Sequence, residues 1–380
     1  MRVLFSTTAA EGHFLPLLPL ASATRAAGHD VVFATAASFA ARVRRENFDT
    51  LPAGIDLAEL ERRFAPTREQ LWATDLSPRE RRARAFSGRF AAIEAPAKHD
   101  ELFAVAESWR ADAIVHEPAD LSASLVAARL GVPTVHHSFG RAIPAAALRA
   151  AGEIVAPLWE SAGLEPDPLA GAYRGAYVDI CPPSLQDETP PSGVAVHRLR
   201  PAERGAGRPA EPPLAYATLG TVFNRVEIFR DLLEAFAPLP CRVLMTVGET
   251  VDPGELGAVP PNAEVARYIP QREILPRASV VISHGGSGST LGALAHGVPI
   301  VFVPQGADQF ENAQATAEAG AGAVVMPDRR TAPILREALQ TVLLDPSYAR
   351  RAEALAQEIA ALPSPDRVAA ALFAPPDNGD

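Results

Sequence analysis

The stretch His284-Gly-Gly-Ser-Gly-Ser-Thr290 directly follows the apolar run Val280-Val-Ile-Ser283 and precedes the helical run Leu291–His296. Glycines let the backbone approach a ligand closely, and the first turn of a helix presents unpaired N–H groups in a positive potential. A strand, a glycine-rich turn and a helix in this order predict an anion-binding turn within an α/β domain. A tight turn with a purely structural role is the alternative interpretation.

The turn differs from two familiar phosphate-binding motifs. It lacks the lysine of a P-loop, and no G-x-G-x-x-G follows the first strand of the chain. We therefore predict that it binds a diphosphate without a P-loop lysine. The predicted donors are the His284 ring, the hydroxyl groups of Ser287, Ser289 and Thr290, and the backbone of residues 286–290, which includes Gly286 and Gly288.

Strand and helix patterns alternate on both sides of the middle of the chain, which favours two doubly wound α/β domains. Strands are predicted at residues 2–6, 31–34, 113–116, 133–137, 214–218, 242–247, 280–283 and 299–303. Helices are predicted at residues 14–27, 122–130, 226–236, 289–296, 312–319 and 347–361, with a last short helix that ends near Phe373. The Arg-rich, amphipathic region 58–96 predicts inserted helices.

The domain boundaries follow from composition. The stretch 182–213 is rich in Pro, Gly and Arg and has no sustained periodicity, so it contains the linker candidate. We predict an N-terminal domain at 1–200, a linker at 201–213, a C-terminal domain at 214–362, and a tail helix in 363–380 that packs on the N-terminal domain.

Composition restricts the partners and the compartment. The 380 residues carry a net charge of -10, which argues against the phosphate backbone of a nucleic acid as a partner. No run approaches the 18 apolar residues that indicate a membrane span. Residues 1–23 resemble a signal peptide only superficially, because Glu11 and His13 interrupt the apolar stretch. Two separated cysteines and the absence of metal-ligand spacing favour a cytoplasmic protein with no bound metal.

Three segments together resemble the donor-binding signature of family 1 glycosyltransferases, most closely the bacterial enzymes that modify antibiotics. They are Tyr268-Ile-Pro-Gln271, the stretch from His284 to Pro299, and Pro304-Gln-Gly-Ala-Asp-Gln309 with Asn312. The resemblance covers most of the chain and is strongest over 216–325. It implies the GT-B fold, in which two Rossmann-like domains face each other across a cleft.

The resemblance also implies roles for single residues in binding the donor, a nucleotide-sugar. Tyr268 stacks on the nucleobase, with Ile269 and Gln271 beside it. Asp308 and Gln309 bind the sugar hydroxyls, although Asp308 also suits the N-cap of the following helix. The diphosphate is bound by His284 and residues 286–290 from one side and by Gly220 and Thr221 from the other.

One departure from the family pattern concerns the nucleotide. Many relatives carry a glutamate on the helix after the glycine-rich turn, where it binds the ribose hydroxyls, whereas this chain has Gly292. Loss of that acceptor favours a deoxyribose nucleotide, so we expect a TDP-sugar rather than a UDP-sugar donor. No cofactor is required on this interpretation.

His13 is the predicted catalytic base. It follows the first strand at the start of the first helix, and ligands of doubly wound sheets bind at the carboxyl ends of the strands. An imidazole titrates near neutral pH and can take the proton of an acceptor hydroxyl. The family places an acidic residue against this histidine, and both Glu117 and Asp120 are candidates here. His116, His136 and His137 are expected to have packing roles.

The sequence therefore predicts an inverting glycosyltransferase that transfers a deoxysugar from TDP to a hydroxyl of a small apolar natural product. Residues 71–90 and 139–159 are expected to form the acceptor pocket. The alternatives are a nucleotide-sugar epimerase of the same fold and a non-catalytic nucleotide-sugar-binding helper. The acceptor, the O-, C- or N-linkage, a homodimer and an activator protein remain open.

Overall fold

The computed structural model describes residues 1–207, 209–220, 225–248 and 251–374. The chain divides into two compact units. We call the unit formed by residues 1–181, 186–199 and 363 onwards the N-terminal unit, and the unit formed by 182–185 and 200–362 the C-terminal unit. The predicted linker, 201–213, thus belongs to the C-terminal unit rather than standing between the two units.

The N-terminal unit contains a seven-stranded, wholly parallel sheet in the order β3-β2-β1-β4-β5-β6-β7. The chain turns back at β1, so the loops after β1 and β4 lie side by side at the topological switch point. The strands are β1 (Arg2–Ser6), β2 (Asp30–Thr35), β3 (Asp49–Pro52), β4 (Ala113–His116), β5 (Thr134–His137), β6 (Ala176–Asp179) and β7 (Val196–Arg198).

Helices cover this sheet. They are α1 (Glu11–Phe14), α2 (Leu18–Ala26), α3 (Ala40–Arg44), α4 (Leu57–Ala73), α5 (Pro78–Phe86), α6 (Ala95–Trp109), α7 (Leu121–Leu130) and α8 (Ala145–Ser161). Between α5 and α6 the chain continues as a segment of wider π-type turns, Ser87–Glu94. This segment and α4 and α5 form the inserted helical region that the Arg-rich sequence predicts.

The C-terminal unit contains a second parallel sheet, in the order β10-β9-β8-β11-β12-β13. Its switch point lies between β8 and β11. The strands are β8 (Leu214–Thr218), β9 (Arg242–Thr246), β10 (Ala263–Ala266), β11 (Val280–Ser283), β12 (Ile300–Phe302) and β13 (Gly322–Val324). The helices are α9 (Val226–Phe236), α10 (Gln271–Ile274), α11 (Ser287–Ala295), α12 (Gln309–Glu318), α13 (Ala332–Leu344) and α14 (Pro346–Ala361).

The central strands are buried on both faces. Every residue of β4, β8 and β11 is buried, as expected for parallel strands covered by helices on both sides. These strands consist mostly of small and β-branched residues, and the loops of the candidate site follow their carboxyl ends. The last helix, α15 (Pro365–Phe373), packs on α2 within the N-terminal unit.

Two predictions about strands were incomplete. The stretch 182–213, interpreted as lacking regular structure, contains β7, which pairs with β6. The short strands β3, β6, β10 and β13 were not predicted. Each has only three or four residues, and Gly322 begins β13, so no long apolar alternation marks these strands in the sequence.

Candidate active site

The glycine-rich turn lies between β11 and α11, at the switch point of its sheet. Gly286 occupies the N-cap position of α11, and no side chain caps the helix there. The N–H groups of residues 287–289 stand in the first turn, where an α-helix supplies no acceptor of its own. Gly288 is exposed and Ser287 and Ser289 are half-buried. The turn therefore presents backbone and hydroxyl donors together with the positive end of the helix dipole.

His284 is enclosed by two glycines of this turn region. A Cβ atom on Gly220 would lie 2.7 Å from His284 Nε2, and a Cβ atom on Gly286 would lie 2.6 Å from it. The His284 ring can therefore take this position only because positions 220 and 286, on either side of it, are both glycine. Burial lowers the pKa of His284 to about 4, so the imidazole is neutral at neutral pH. Thr221, which is predicted to bind the diphosphate together with Gly220, lies outside the described residues.

The loop before α12 is tied to the glycine-rich turn. Asp308 Oδ2 accepts hydrogen bonds from Ser287 Oγ and from Asn312 Nδ2, both at 2.9 Å. Asn312 Nδ2 also donates to the carbonyl oxygen of Gly285 at 2.9 Å. Asp308 stands at the N-cap position of α12, but its side chain does not cap the helix. The N-cap role that was the alternative for Asp308 is therefore wrong. Its side chain instead links the loop before α12 to the glycine-rich turn.

Gln309, which the resemblance assigns to the sugar hydroxyls, is hydrogen-bonded to its own loop. Its side chain is buried, and its Oε1 accepts from the backbone N–H groups of Gln305 at 2.7 Å and Gly306 at 3.0 Å. Thr290 is also buried, and its Oγ1 has no hydrogen-bond partner in the described parts of the chain. In the structure Gln309 thus shapes the loop that carries Asp308.

The predicted nucleobase residues surround the start of α10. Tyr268 is 67% exposed and Ile269 is half-buried. Gln271 Nε2 donates to Ser289 Oγ at 3.0 Å, which joins α10 to the first turn of α11. A Cβ atom on Gly292 would lie 3.7 Å from Gln271 Oε1. Gly292, where many relatives carry a glutamate, therefore lies next to the Gln271 side chain.

In the N-terminal unit, His13 lies against Glu117. His13 Nδ1 is 3.1 Å from Glu117 Oε2, and the Glu117 side chain is completely buried. Oε2 also accepts from the N–H of Ala119, and Oε1 accepts from the N–H and the hydroxyl of Thr8. Burial alone would raise the pKa of Glu117, but His13 and these hydrogen bonds outweigh it and lower that pKa.

Asp120, the second candidate for holding His13, has a different partner. Its Oδ2 accepts from Lys98 Nζ at 2.7 Å, and its Oδ1 accepts from Ser122 Oγ at 2.8 Å. Both members of the Lys98–Asp120 ion pair are 1% exposed. Burial would raise the pKa of Asp120, but the ammonium group of Lys98 outweighs it and lowers that pKa. The structure therefore assigns Glu117 rather than Asp120 to contact with His13.

Two phenylalanines enclose the His13 ring. The ring centroid of Phe139 lies 5.1 Å from that of His13, edge to face, and the centroid of Phe90 lies 5.7 Å from it. These phenylalanines come from the two segments that the sequence predicts as acceptor walls, 71–90 and 139–159. The side chain of His13 is 19% exposed, so part of the ring is open to solvent in an apolar surrounding.

Sequence reasoning missed Thr8, Lys98 and Glu94, which complete the polar cluster around His13 and Glu117. Thr8 stands in the small polar turn after β1, which could have indicated it. Lys98 and Glu94 lie in helical segments without a local motif. Among the described residues, no group of three or more His, Cys, Asp or Glu side chains is arranged to hold a metal ion. No helix in the described ranges is long and apolar enough to cross a membrane.

Two doubly wound units, each with polar groups at its switch point, match the architecture of glycosyltransferases of the GT-B fold. Family models of erythromycin biosynthesis protein CIII-like proteins match the chain over 22–200 for the N-terminal domain and over 230–374 for the C-terminal domain. The chain belongs to this family. The predicted enzyme class, fold and resemblance are thereby confirmed.

Characterised relatives agree over the full length. The L-demethylnoviosyl transferase of Streptomyces niveus is 32% identical, over 98% of both chains. The elloramycin glycosyltransferase ElmGT of Streptomyces olivaceus is 33% identical, over 98% of this chain and 97% of its own. The crystal structure of the glycosyltransferase SsfS6 of Streptomyces sp. SF2575, complexed with thymidine diphosphate, has 27% identity and a TM-score of 0.76, covering 98% of this chain and 99% of its own. The protein is a glycosyltransferase of the antibiotic-biosynthesis type.

Proposed function

We propose that this enzyme transfers a deoxysugar from a TDP-sugar to a hydroxyl group of a small apolar natural product, with inversion at the anomeric carbon. The observation that carries the proposal is the pair formed by His13 and the buried Glu117, 3.1 Å apart, with Phe90 and Phe139 on the ring. A base held by a carboxylate beside apolar side chains suits the activation of a hydroxyl on an apolar acceptor.

His13 takes the acceptor proton in this mechanism. The Glu117 carboxylate accepts Nδ1–H, which leaves the lone pair on Nε2. As the acceptor oxygen attacks the anomeric carbon, its proton passes to Nε2 and the bond from that carbon to TDP breaks. Glu117 then stabilises the imidazolium. One displacement without a carboxylate nucleophile inverts the configuration.

The C-terminal unit stabilises the leaving group. The negative charge that develops on TDP is bound by the N–H groups of residues 287–289 and by the dipole of α11. The neutral ring of His284 donates one further hydrogen bond, and the Asp308–Ser287 contact fixes the first turn. Asp308 is proposed to bind the sugar through Oδ1, because Oδ2 accepts the hydrogen bond from Ser287.

Two observations support TDP over UDP as the nucleotide. Gly292 supplies no carboxylate for a ribose 2′-hydroxyl. The similar enzyme SsfS6 has been crystallised with thymidine diphosphate. The exposed Tyr268 ring is proposed to stack on the base, which it would do with either nucleotide.

Calorimetric titration with TDP and with UDP tests the donor site. We expect TDP to bind more tightly to the wild type, and His284→Ala to weaken TDP by about tenfold, the effect of one lost hydrogen bond. Gly292→Glu should improve UDP relative to TDP. Absence of binding by either nucleotide would contradict the donor site, whereas tighter UDP binding would contradict only the role of Gly292.

A screen of aromatic and polyketide alcohols with TDP-sugars tests the reaction. The expected product is an O-glycoside whose anomeric configuration is opposite to that of the donor, determined by the proton coupling constant at the anomeric carbon. Retention of configuration would exclude the single displacement. His13→Ala is the inactive control, and its TDP affinity should equal that of the wild type.

A further inference from the structure

Lys98 is the only lysine of the chain, since every other residue among its 35 lysines and arginines is an arginine. It lies in α6, and its side chain is 1% exposed. A buried ammonium group is costly unless it is paired and hydrogen-bonded. The fold encloses it closely, because a Cβ atom on Gly54 would lie 3.1 Å from both Cγ and Cδ of Lys98. Proton transfer to His13 does not itself require this enclosed cation, so its contacts indicate what it does.

The Lys98 ammonium group joins the two loops that carry the His13–Glu117 pair. Nζ donates to the carbonyl oxygen of Thr7 at 2.9 Å, in the loop after β1, and to Asp120 Oδ2 at 2.7 Å, in the loop after β4. An ammonium group carries three donors on one nitrogen, so a single atom can serve acceptors from separate segments. The planar guanidinium of arginine instead suits the two oxygens of one carboxylate. A lysine therefore fits this contact between α6 and the two loops.

The peptide group between Thr7 and Thr8 connects Lys98 to Glu117. Its carbonyl oxygen accepts from Lys98 Nζ, and its N–H, on Thr8, donates to Glu117 Oε1 at 3.1 Å. A trans peptide group is planar, and its C=O and N–H point in opposite directions, so fixing the carbonyl oxygen also fixes the direction of the N–H. A cation on the carbonyl oxygen also polarises the group, which strengthens the N–H as a donor. The Thr8 hydroxyl donates to the same Glu117 oxygen at 2.8 Å.

A second set of contacts links Asp120 to Glu117 within the loop after β4. The N–H of Asp120 donates to the carbonyl oxygen of Glu117 at 3.1 Å, and the N–H of Ala119 donates to Glu117 Oε2 at 2.7 Å. The Asp120 carboxylate, which accepts from Lys98, therefore belongs to the same turn as Glu117. Because Lys98 balances the charge of Asp120, the charge of Glu117 remains for the imidazolium that forms on His13.

We propose that Lys98 is a positioning residue of the transfer site. It holds the peptide group before Thr8 in the orientation that directs the N–H at Glu117, and Glu117 in turn fixes His13. The proposal rests on the proposed function of His13 as base. Lys98 keeps its three protons throughout the reaction, and only the acceptor proton moves, to His13 Nε2. Loss of the ammonium group would free the peptide group to turn and would weaken the hold of Glu117 on His13.

Enzyme kinetics separate this role from the stabilising role of the ion pair. Lys98→Met/Asp120→Leu removes both buried charges and so recovers most of the stability that Lys98→Met loses, but it does not restore the hydrogen bond to the Thr7 carbonyl oxygen. We expect both variants to lower kcat with TDP-glucose and a screened acceptor by about tenfold, the effect of one hydrogen bond, with an unchanged KM for TDP-glucose. Asp120→Leu, which keeps Lys98 and its contact with Thr7, should have a higher kcat than the double variant. Wild-type kcat in the double variant, or equal kcat in the double variant and Asp120→Leu, would overturn the proposal.

NMR of the full-length enzyme without ligands tests the same link and does not depend on turnover. The Thr8 amide signal is observed with 15N-threonine and assigned by its absence in Thr8→Ser, and 15N-lysine gives one ammonium signal because Lys98 is the only lysine. The Thr8 amide proton should move upfield in the double variant, and the ammonium signal should shift in Glu117→Gln. An unchanged Thr8 amide signal in the double variant would overturn the proposal. If His13→Ala retains turnover, the base assignment fails, while these shifts still report whether Lys98 is coupled to Glu117.

Discussion

His13 Nδ1 lies 3.1 Å from Glu117 Oε2, and the two residues follow the neighbouring strands β1 and β4 of one parallel sheet. The two residues are more than a hundred positions apart in the sequence. They meet because β1 and β4 are neighbours in the sheet, so the loops after these two strands lie side by side. The Glu117 carboxylate has four hydrogen-bond donors in all, from His13, Ala119 and Thr8. This carboxylate is therefore fixed before any ligand binds.

The first prediction concerns the charge of Glu117. Glu117→Gln keeps the size of the side chain but removes the charge that stabilises the imidazolium of His13. We expect kcat to fall by about 10²-fold, within the range for a positioned base, with unchanged affinity for TDP. Steady-state kinetics and calorimetry measure the two effects. Because the residues act as a unit, the double variant His13→Ala/Glu117→Gln should be no slower than His13→Ala alone. If the fold-losses in kcat of the two single variants multiplied in the double variant, Glu117 would act independently of His13.

The second prediction concerns the buried ion pair. Lys98→Met leaves Asp120 buried without its cation, which should lower the free energy of unfolding by about 3–5 kcal/mol. The double variant Lys98→Met/Asp120→Leu should recover most of that loss, because it removes both charges. All three tryptophans, Trp72, Trp109 and Trp159, lie in the N-terminal unit, so tryptophan fluorescence in urea follows this unit specifically. Equal stability of the single and double variants would contradict the pairing.

The sequence indicated the elements whose signals are local. The glycine-rich turn could be predicted because a strand, the glycines and a helix follow one another within 280–296. His13 could be predicted because the first turn after a first strand lies at the carboxyl edge of the sheet. The glycine-rich turn and His13 both lie at the positions in their sheets that these local patterns predict.

The remaining parts of the site depend on contacts between distant segments. Nothing near Asp120 in the sequence shows that Lys98 neutralises it, and both carboxylates after β4 were equal candidates until their partners were known. Glu94 belongs to a helical segment that is predicted as amphipathic, and no local motif marks its side chain as buried. The register of β7 likewise depends on pairing with β6 rather than on its own composition.

The third prediction concerns acid stability. Burial lowers the pKa of His137 to about 4, and its Nδ1 contacts the carbonyl oxygen of Ser138 at 2.6 Å. Between pH 6.5 and pH 4, His137 is therefore protonated in the unfolded chain, where its pKa is the ordinary 6.5, but not in the folded chain. Stability should decrease as the pH falls from 6.5 towards 4, by about 1 kcal/mol per pH unit from this residue.

His137→Asn, which keeps a donor to Ser138 and cannot titrate, is the matched variant for this effect. Urea unfolding followed by tryptophan fluorescence at several pH values should give a smaller slope for the variant. The comparison cancels the contributions of His136, which acts in the same direction, and of Glu94, whose raised pKa acts in the opposite one. An identical slope in both proteins would show that His137 is not held neutral.

The fourth prediction compares two glycines of the glycine-rich turn, which is proposed to bind the diphosphate. A Cβ atom on Gly286 would lie 2.6 Å from His284 Nε2, whereas a Cβ atom on Gly288 would meet no protein atom within 4 Å. The backbone of Gly286 has φ -61° and ψ 142°, which alanine adopts without strain, so the effect of Gly286→Ala is purely steric. We expect Gly286→Ala to displace the His284 ring and weaken TDP by about tenfold. Gly288→Ala should leave the ring in place and stabilise α11 by about 0.5–1 kcal/mol. Calorimetric titration and thermal unfolding measure the two effects, and equal loss of TDP affinity in both variants would attribute the loss to crowding of the phosphates rather than to displacement of His284.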